Sequence, residues 1–246
     1  MDSKVGKIHS IKPCALNNGP GARYTVFLEG CNLHCSFCNT PDSWSAEKGK
    51  EYTLEALFED MQNYESTLRL SNGGVTFSGG EPLLQPDFVL SFFMLCKKNN
   101  IHTALATSGS ILNDSVNVLL EWTDLVILDI KGFNKSFYKE SVGCDLDTIL
   151  SFLDYTQQIN KRLWVRYVVI PGITDNPEEV SALSKHLANF KNLERIELIP
   201  FQKNCEYKWH EADREYTLQE IPAPSERELL KVLEIFYHNH LRVFIL

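Results

Sequence analysis

Short apolar runs alternate with longer segments of helical period along nearly the whole sequence of 246 residues. Short runs rich in β-branched and aromatic residues predict strands, and apolar positions three or four residues apart predict amphipathic helices. This alternation is typical of β/α units, in which crossover helices pack on a parallel sheet. The strands are predicted at residues 24–29, 74–78, 103–107, 125–130, 163–170 and 195–199, with a further one at 241–246.

Helices are predicted between these strands, and their starts are well marked. Thr53, Asn176 before Pro177, and Ser225 are residues that favour the N-cap position. The predicted helices lie at residues 53–66, 86–99, 114–122, 177–190 and 225–239, with one or two more between 131 and 160.

The number of β/α units limits the fold. Six units are too few for a full eight-unit barrel, so the sequence predicts an incomplete (β/α)6 barrel of the TIM type with parallel strands. A doubly wound sheet is the alternative. Residues 201–224 lack periodicity and are predicted, with the helix and strand up to residue 246, to cover the barrel. No linker or repeat divides the chain, so one domain over residues 1–246 is expected.

Charge and hydropathy exclude several classes of partner. The 24 basic and 32 acidic side chains leave a net charge of −8, which favours neither nucleic acid nor an anionic membrane. No apolar run approaches the roughly 20 residues that span a bilayer. The first residues lack the apolar stretch of a secretory signal. The cytoplasm is therefore the expected location.

Three of the seven cysteines lie within eight residues, directly after the first predicted strand. Cys31, Cys35 and Cys38 have the spacing C-x3-C-x2-C, inside a predicted loop at residues 30–44. Three thiolates can bind three irons of a [4Fe-4S] cluster and leave the fourth iron without a protein ligand. An open coordination position is where a metal performs chemistry on a substrate. The spacing therefore predicts a catalytic iron–sulfur cluster.

Other uses of these cysteines remain open at this point. Zinc could be bound with His34, Cys14 or Cys205 as fourth ligand. A redox pair formed by the last two cysteines of the motif leaves Cys31 unexplained. A fully ligated electron-transfer cluster would recruit one of the same two distant cysteines.

Polar and glycine residues follow several of the other predicted strands. The carboxyl ends of parallel strands open on one rim, where ligands bind. A glycine pair also lets a ligand approach the backbone closely. Arg166 lies inside a strand and is as compatible with a buried ion pair as with a site. The candidate rim residues are Gly79, Gly80, Glu81, Thr107, Asp129, Ile130, Lys131 and Gln202.

Two of these motifs together resemble the radical S-adenosylmethionine (SAM) superfamily. They are the cysteine motif with Phe37 before its last cysteine, and Ser78-Gly-Gly-Glu-Pro82. The resemblance implies that the open iron chelates the methionine part of SAM. One electron from the reduced cluster would then break the S–C5′ bond and give a 5′-deoxyadenosyl radical that abstracts hydrogen. In such enzymes the cofactors supply the reactivity and the protein positions and shields them.

Within that superfamily the chain resembles the glycyl-radical-enzyme activases, most closely those that act on pyruvate formate-lyase. The absence of cysteines between Trp44 and Thr53 is similar to their compact, single-cluster subgroup. The resemblance implies Cys31, Cys35 and Cys38 as cluster ligands. The segments that carry it are residues 7–10, 19–21, 31–44, 73–76, 128–131, 164–167 and 208–209. The SAM contacts that it implies are Phe37, Cys38, Asn39, Gly79, Gly80, Glu81, Asp129, Ile130, Lys131 and Gln202.

The function implied by the resemblance is the installation of a glycyl radical on pyruvate formate-lyase, by removal of hydrogen from a backbone glycine. Reduced flavodoxin or ferredoxin is the implied electron donor. The alternatives are an activase of a different glycyl radical enzyme, a radical SAM enzyme that acts on a small molecule, and a non-enzymatic zinc or iron–sulfur module.

Four positions depart from the activase pattern. Asn18 stands for an Asp, Asn39 for a His, and Gln202 for a His. Asn and Gln still donate and accept hydrogen bonds. Ala106 stands where an Asp helps to bind a monovalent cation, and its methyl side chain cannot be a ligand.

Overall fold

The computed structural model describes residues 4–246, and these form two compact units. The first unit contains the described chain up to Asn32 together with Ser43–Ile127. The second contains Leu33–Asp42 and Leu128–Leu246. The single domain predicted from the sequence stays a prediction.

The first unit is a mixed sheet with helices between its parallel strands. Its strand order is β3-β1-β2-β4-β5, in which β2, β4 and β5 are parallel and β1 is antiparallel to both neighbours. The strands are β1 (Val5–Ala15), β2 (Arg23–Leu28), β3 (Lys50–Thr53), β4 (Gly74–Gly79) and β5 (His102–Thr107). The helices are α1 (Leu54–Gln62), α2 (Glu65–Leu70), α3 (Pro86–Lys98) and α4 (Asp114–Glu121), with a 3-10 turn at Pro82–Leu84.

Aromatic packing between β4 and α3 forms the core of this unit. Phe77 of β4 lies edge-on to Phe92 and Phe93 of α3, with ring centroids 5.4 and 5.5 Å apart. Such contacts are worth about 0.5–1.5 kcal/mol beyond the burial of the rings. Cys96 lies on the same buried face of α3, and burial raises the pKa of its thiol. Cys96 is therefore a buried residue of this core.

The second unit has parallel strands with helices between them. β6 (Leu125–Ile130) runs from the first unit into the second, and β7, β8 and β9 follow in that order. β7 (Leu163–Val169), β8 (Leu193–Pro200) and β9 (Val243–Ile245) pair in parallel. The helices are α5 (Lys135–Phe137), a π-helical turn (Tyr138–Val142), α6 (Leu146–Gln158), α7 (Pro177–Leu187), α8 (Glu206–Glu211) and α9 (Glu226–His238).

The predicted N-caps are confirmed. The Thr53 side chain accepts a hydrogen bond from the Ala56 N–H of α1, and Asn176 accepts from Glu178 in α7. Ser225 forms a full capping box in α9. A cap of this kind is worth about 1 kcal/mol, and its side-chain chemistry is local, so the sequence alone locates it.

The structure confirms the fold class, an open and mostly parallel α/β sheet, and differs from the prediction in three places. The antiparallel strands β1 and β3 were not predicted, because bulges interrupt the pairing of β1 with β2 and β3 has only four residues. The helix predicted at 53–66 is two helices, α1 and α2. The segment 201–224 contains the short helix α8. Within residues 4–246, no helix is long and apolar enough to cross a membrane.

Candidate functional site

The end of β2 presents Cys31 on a backbone that the first unit holds at several points. Gly30 has a positive φ of +94°, which favours glycine, and its N–H donates to the Ser43 carbonyl at 2.8 Å. The Cys31 N–H donates to the Trp44 carbonyl at 3.3 Å. The Gly30 carbonyl in turn accepts from the Glu81 N–H at 2.8 Å. The first cysteine is therefore tied to the end of β4.

The glycine pair after β4 is required by close packing against this cysteine backbone. Gly79 has φ +112°, and its neighbour Gly80 donates its N–H to the Leu28 carbonyl at 2.9 Å. A Cβ atom on Gly80 would lie 2.0 Å from the Gly30 carbonyl oxygen. Only glycine lets the two strand ends approach this closely.

Glu81 is buried, and its carboxylate joins the ends of β4 and β5. Oε1 accepts from Thr107 Oγ1 at 2.5 Å and from the Leu83 N–H at 3.0 Å. Oε2 accepts from the N–H of Ser108 at 2.9 Å and from its hydroxyl. Burial raises the pKa of Glu81, while these hydrogen bonds act in the opposite direction. Both oxygens thus have protein donors, and a SAM contact of this side chain stays a prediction.

Cys35 and Cys38 lie in the second unit, in the segment Leu33–Asp42, here called the cysteine loop. The N–H groups of His34 and Ser36 donate to carbonyls of the π-helical turn at 3.0 and 2.8 Å. The Cys38 N–H donates to the Cys35 carbonyl at 3.0 Å. The backbone of the loop is therefore shaped by protein contacts.

The aromatic residue of the motif packs beside the π-helical turn. Phe37 is buried and stacks on Phe137, with centroids 6.1 Å apart and planes 11° from parallel. Asn39, next to the last cysteine, is exposed. The Thr40 N–H lies 3.4 Å from the Cys38 sulfur.

Asp129 and Lys131 meet at the carboxyl end of β6. Lys131 Nζ lies 3.5 Å from Asp129 Oδ2, and both side chains are half-buried. The Lys131 N–H donates to the Tyr138 hydroxyl at 2.9 Å. Ile130 is buried, like the apolar residues before it in β6. The structure brings the acid and the amine together as an ion pair that solvent and ligand can reach.

The other residues considered in the sequence analysis are Gln202, Arg166 and Ala106. Gln202 is exposed after β8 and accepts a hydrogen bond from Asn204 at 3.0 Å. Arg166 forms the buried ion pair that its strand position allowed, with Nε 2.8 Å from Glu197 Oε2. Ala106 is buried beside Thr107.

Arg23 is a residue that the sequence analysis missed. Its buried guanidinium donates to Thr76 Oγ1 at 2.9 Å and to the Pro20 carbonyl at 3.4 Å. Thr76 Oγ1 donates in turn to the Asn18 carbonyl at 2.6 Å. Burial lowers the pKa of Arg23 to about 9, so it stays charged at neutral pH. Arg23 thereby anchors the Asn18-Gly-Pro-Gly loop, and a charged residue opening an apolar strand is the signal that could have found it.

The donor set fits an iron–sulfur cluster. No disulfide joins any of the seven cysteines, all of which lie in the described range. No group of three or more His, Cys, Asp or Glu side chains within residues 4–246 could hold a single metal ion. Cluster cysteines each bind a different iron, so they need not converge on one point.

Comparisons with known proteins show which family the chain resembles. The model of the Radical SAM superfamily matches residues 25–183. The pyruvate formate-lyase 1-activating enzyme of Escherichia coli K12 is 37% identical over 242 residues, covering 96% of this chain and 98% of that protein. The pyruvate formate-lyase-activating enzyme of Clostridium pasteurianum is 39% identical over 230 residues, covering 94% of this chain and 96% of that protein.

A solved structure is similar in fold. It is a domain of a pyruvate-formate lyase-activating enzyme from Bacteroides vulgatus, with a TM-score of 0.60 and 22% identity. The match covers 70% of this chain and 98% of that one.

The fold, the cysteine motif and the superfamily match define a radical SAM enzyme. Membership implies a [4Fe-4S] cluster and SAM as cofactors. Within the superfamily, the chain belongs to the family of pyruvate formate-lyase-activating enzymes.

Proposed function

We propose that this protein installs a glycyl radical on pyruvate formate-lyase. The observation that carries the proposal is the end-to-end similarity to activases of that enzyme, at 37% identity over 96% of the chain, on a chain that retains the cysteine motif. When bound, the reduced cluster and SAM supply the radical that removes a hydrogen atom from a backbone glycine of the partner. The protein's own residues bind, orient and shield these groups.

Cys31, Cys35 and Cys38 are the proposed iron ligands. The backbone at Cys31 is held within the first unit, and the backbones of Cys35 and Cys38 are held within the second, by the hydrogen bonds described above. Thiolates are the ligands that iron–sulfur clusters require, and a set of three leaves one iron open for SAM.

The proposed SAM contacts lie around the strand ends. The Asp129 carboxylate can accept hydrogen bonds from ribose hydroxyls, and Lys131 can neutralise the SAM carboxylate. Gly79 and Gly80 carry no side chains, so they can offer backbone groups to SAM. The other proposed contacts are Phe37, Cys38, Asn39, Glu81, Ile130 and Gln202.

A glycyl radical enzyme is the proposed macromolecular partner, and reduced flavodoxin or ferredoxin the proposed electron donor. The cytoplasm is the proposed location, because the cysteine thiols that bind iron must be kept reduced. The single domain over residues 1–246 is likewise proposed.

The test is an anaerobic mixture of reconstituted protein, SAM, reductant and pyruvate formate-lyase. We expect a glycyl radical signal in electron paramagnetic resonance, together with 5′-deoxyadenosine. Cys35→Ala should abolish both, while the matched variant Cys96→Ala, buried in α3, should retain both. A cluster-loaded protein that forms no radical on this partner would exclude it.

A second candidate is an activase of a different glycyl radical enzyme. Asn18 favours it, because the Asn18-Gly-Pro-Gly loop carries an amide where the family has a carboxylate. The same assay with other glycyl radical enzymes in place of pyruvate formate-lyase separates the two candidates.

A further inference from the structure

Helix α8 contacts the cysteine loop through two consecutive side chains. Trp209 donates its indole N–H to the Cys38 carbonyl oxygen at 3.1 Å. Lys208 Nζ lies 3.3 Å from Asp42 Oδ2, at the end of the same loop. These residues stand outside the proposed iron ligands and SAM contacts. Trp209 nevertheless hydrogen-bonds to the backbone carbonyl of Cys38, which is a proposed iron ligand.

Burial makes the Trp209 contact a defined one. The Trp209 side chain is 5% exposed, and its ring lies 5.4 Å from that of Tyr216, which is also buried. The indole N–H is a donor only, and a buried donor without a partner costs about 1–3 kcal/mol. The Cys38 carbonyl is thus held by a donor that packing keeps in place.

The two halves of the cysteine loop are held by different elements. The first half bonds through the N–H groups of His34 and Ser36 to the π-helical turn. The second half, from Cys38 to Asp42, receives the two side chains of α8. Backbone bonds of the first half survive side-chain substitutions other than proline, whereas the contacts of the second half can be removed singly.

We propose that Trp209, assisted by Lys208, is a positioning residue that holds the second half of the cysteine loop in its binding shape before iron arrives. The Cys38 thiol is then preorganised as a ligand, and loss of iron from it is slowed. The identity of the metal group rests on the proposed function, but the contact itself does not.

The first test uses the metal-free full-length protein and amide hydrogen exchange, which reports local opening. Trp209→Phe retains an aromatic ring against Tyr216 but removes the indole N–H and part of the ring volume. We expect exchange in residues 38–42 to become about tenfold faster, on the scale of one lost hydrogen bond. Trp122→Phe, at the C-cap of α4, is the matched control and should leave this segment unchanged.

The second test measures iron release from the reconstituted protein under a chelator. Replacing a residue that orients a metal ligand typically lowers metal affinity about 10–100-fold. We therefore expect iron release to be at least about tenfold faster in Trp209→Phe, with a smaller increase in Lys208→Gln. A role in packing alone predicts a loss of overall stability without selectively faster exchange in residues 38–42 and without faster iron release, and that result would overturn the proposal. If the wild type binds no iron, the proposed function is wrong, while hydrogen exchange still decides whether α8 holds the loop.

Discussion

The substitution Glu81→Gln tests how the ends of β4 and β5 are joined. In the wild type each carboxylate oxygen accepts one backbone N–H, from Leu83 on Oε1 and from Ser108 on Oε2. A glutamine amide has one oxygen and one NH2 group, so either orientation leaves one of these N–H groups facing another donor. Volume is unchanged, and the effect therefore isolates hydrogen bonding.

The expected cost follows from that geometry. One buried N–H without an acceptor costs about 1–3 kcal/mol. At about 2 kcal/mol, the melting temperature of a chain of this size should fall by roughly 4–8 °C. The measurement is scanning calorimetry of the metal-free protein under reductant.

The control is a second glutamate-to-glutamine substitution, at an exposed position. Glu59→Gln changes an exposed glutamate within α1 and should stay within about 0.5 kcal/mol of the wild type. Equal melting temperatures for the two variants would show that the Glu81 carboxylate does not join the strand ends. The reasoning from its four hydrogen bonds would then be refuted.

Two further predictions concern the first unit. Gly80→Ala places a Cβ atom 2.0 Å from the Gly30 carbonyl oxygen. We therefore expect a destabilisation of about 3 kcal/mol or more, together with loss of SAM cleavage. An unchanged melting temperature in calorimetry would contradict the close approach. For Asp124, burial raises the pKa, but hydrogen bonds from Lys97 and Thr103 outweigh it and leave the pKa below its ordinary value. Its contribution to stability is therefore present above the unfolded pKa and is lost as pH falls through the folded value. Urea unfolding should show Asp124→Asn less stable than wild type by about 1–2 kcal/mol at pH 7, with the difference vanishing in acid; a constant difference would refute this sign.

The departures from the activase pattern have distinct physical settings. The Asn18 carbonyl accepts from Thr76, which Arg23 holds in turn, and the Asn18 side-chain amide donates to Thr25 Oγ1 at 3.2 Å. The loop is therefore anchored through both the backbone and this amide. We expect the exchange of a carboxylate for an amide to affect the choice of partner. Ala106 is buried, and its side chain carries no oxygen. It therefore lacks the cation ligand that the activase pattern has at this position.

Local chemistry is what the sequence by itself determined. Thr53, Asn176 and Ser225 cap their helices because a cap needs only a short polar side chain next to a helical run. The parallel strands were located because buried apolar runs of β4 and β6 differ from helical periodicity. The cysteine spacing predicted an iron–sulfur cluster but left zinc and redox uses open, and the glycine-rich motif at residues 78–82 added the resemblance that favoured the cluster.

Only the tertiary structure decided which partner each buried polar group has. The sequence predicts Glu81 as a ligand contact. In the structure its carboxylate oxygens accept hydrogen bonds from Thr107 and Ser108, which lie 26 and 27 positions away in the chain, and from Leu83. Arg23 bonds to strand β4 and Trp209 bonds to the cysteine loop, and no local pattern encodes either proximity. The strand β1 was missed for the same reason, because its bulges hide the alternation that pairing would otherwise reveal. Hydrogen-bond partners that are distant in sequence are set by packing, and packing is a property of the whole fold.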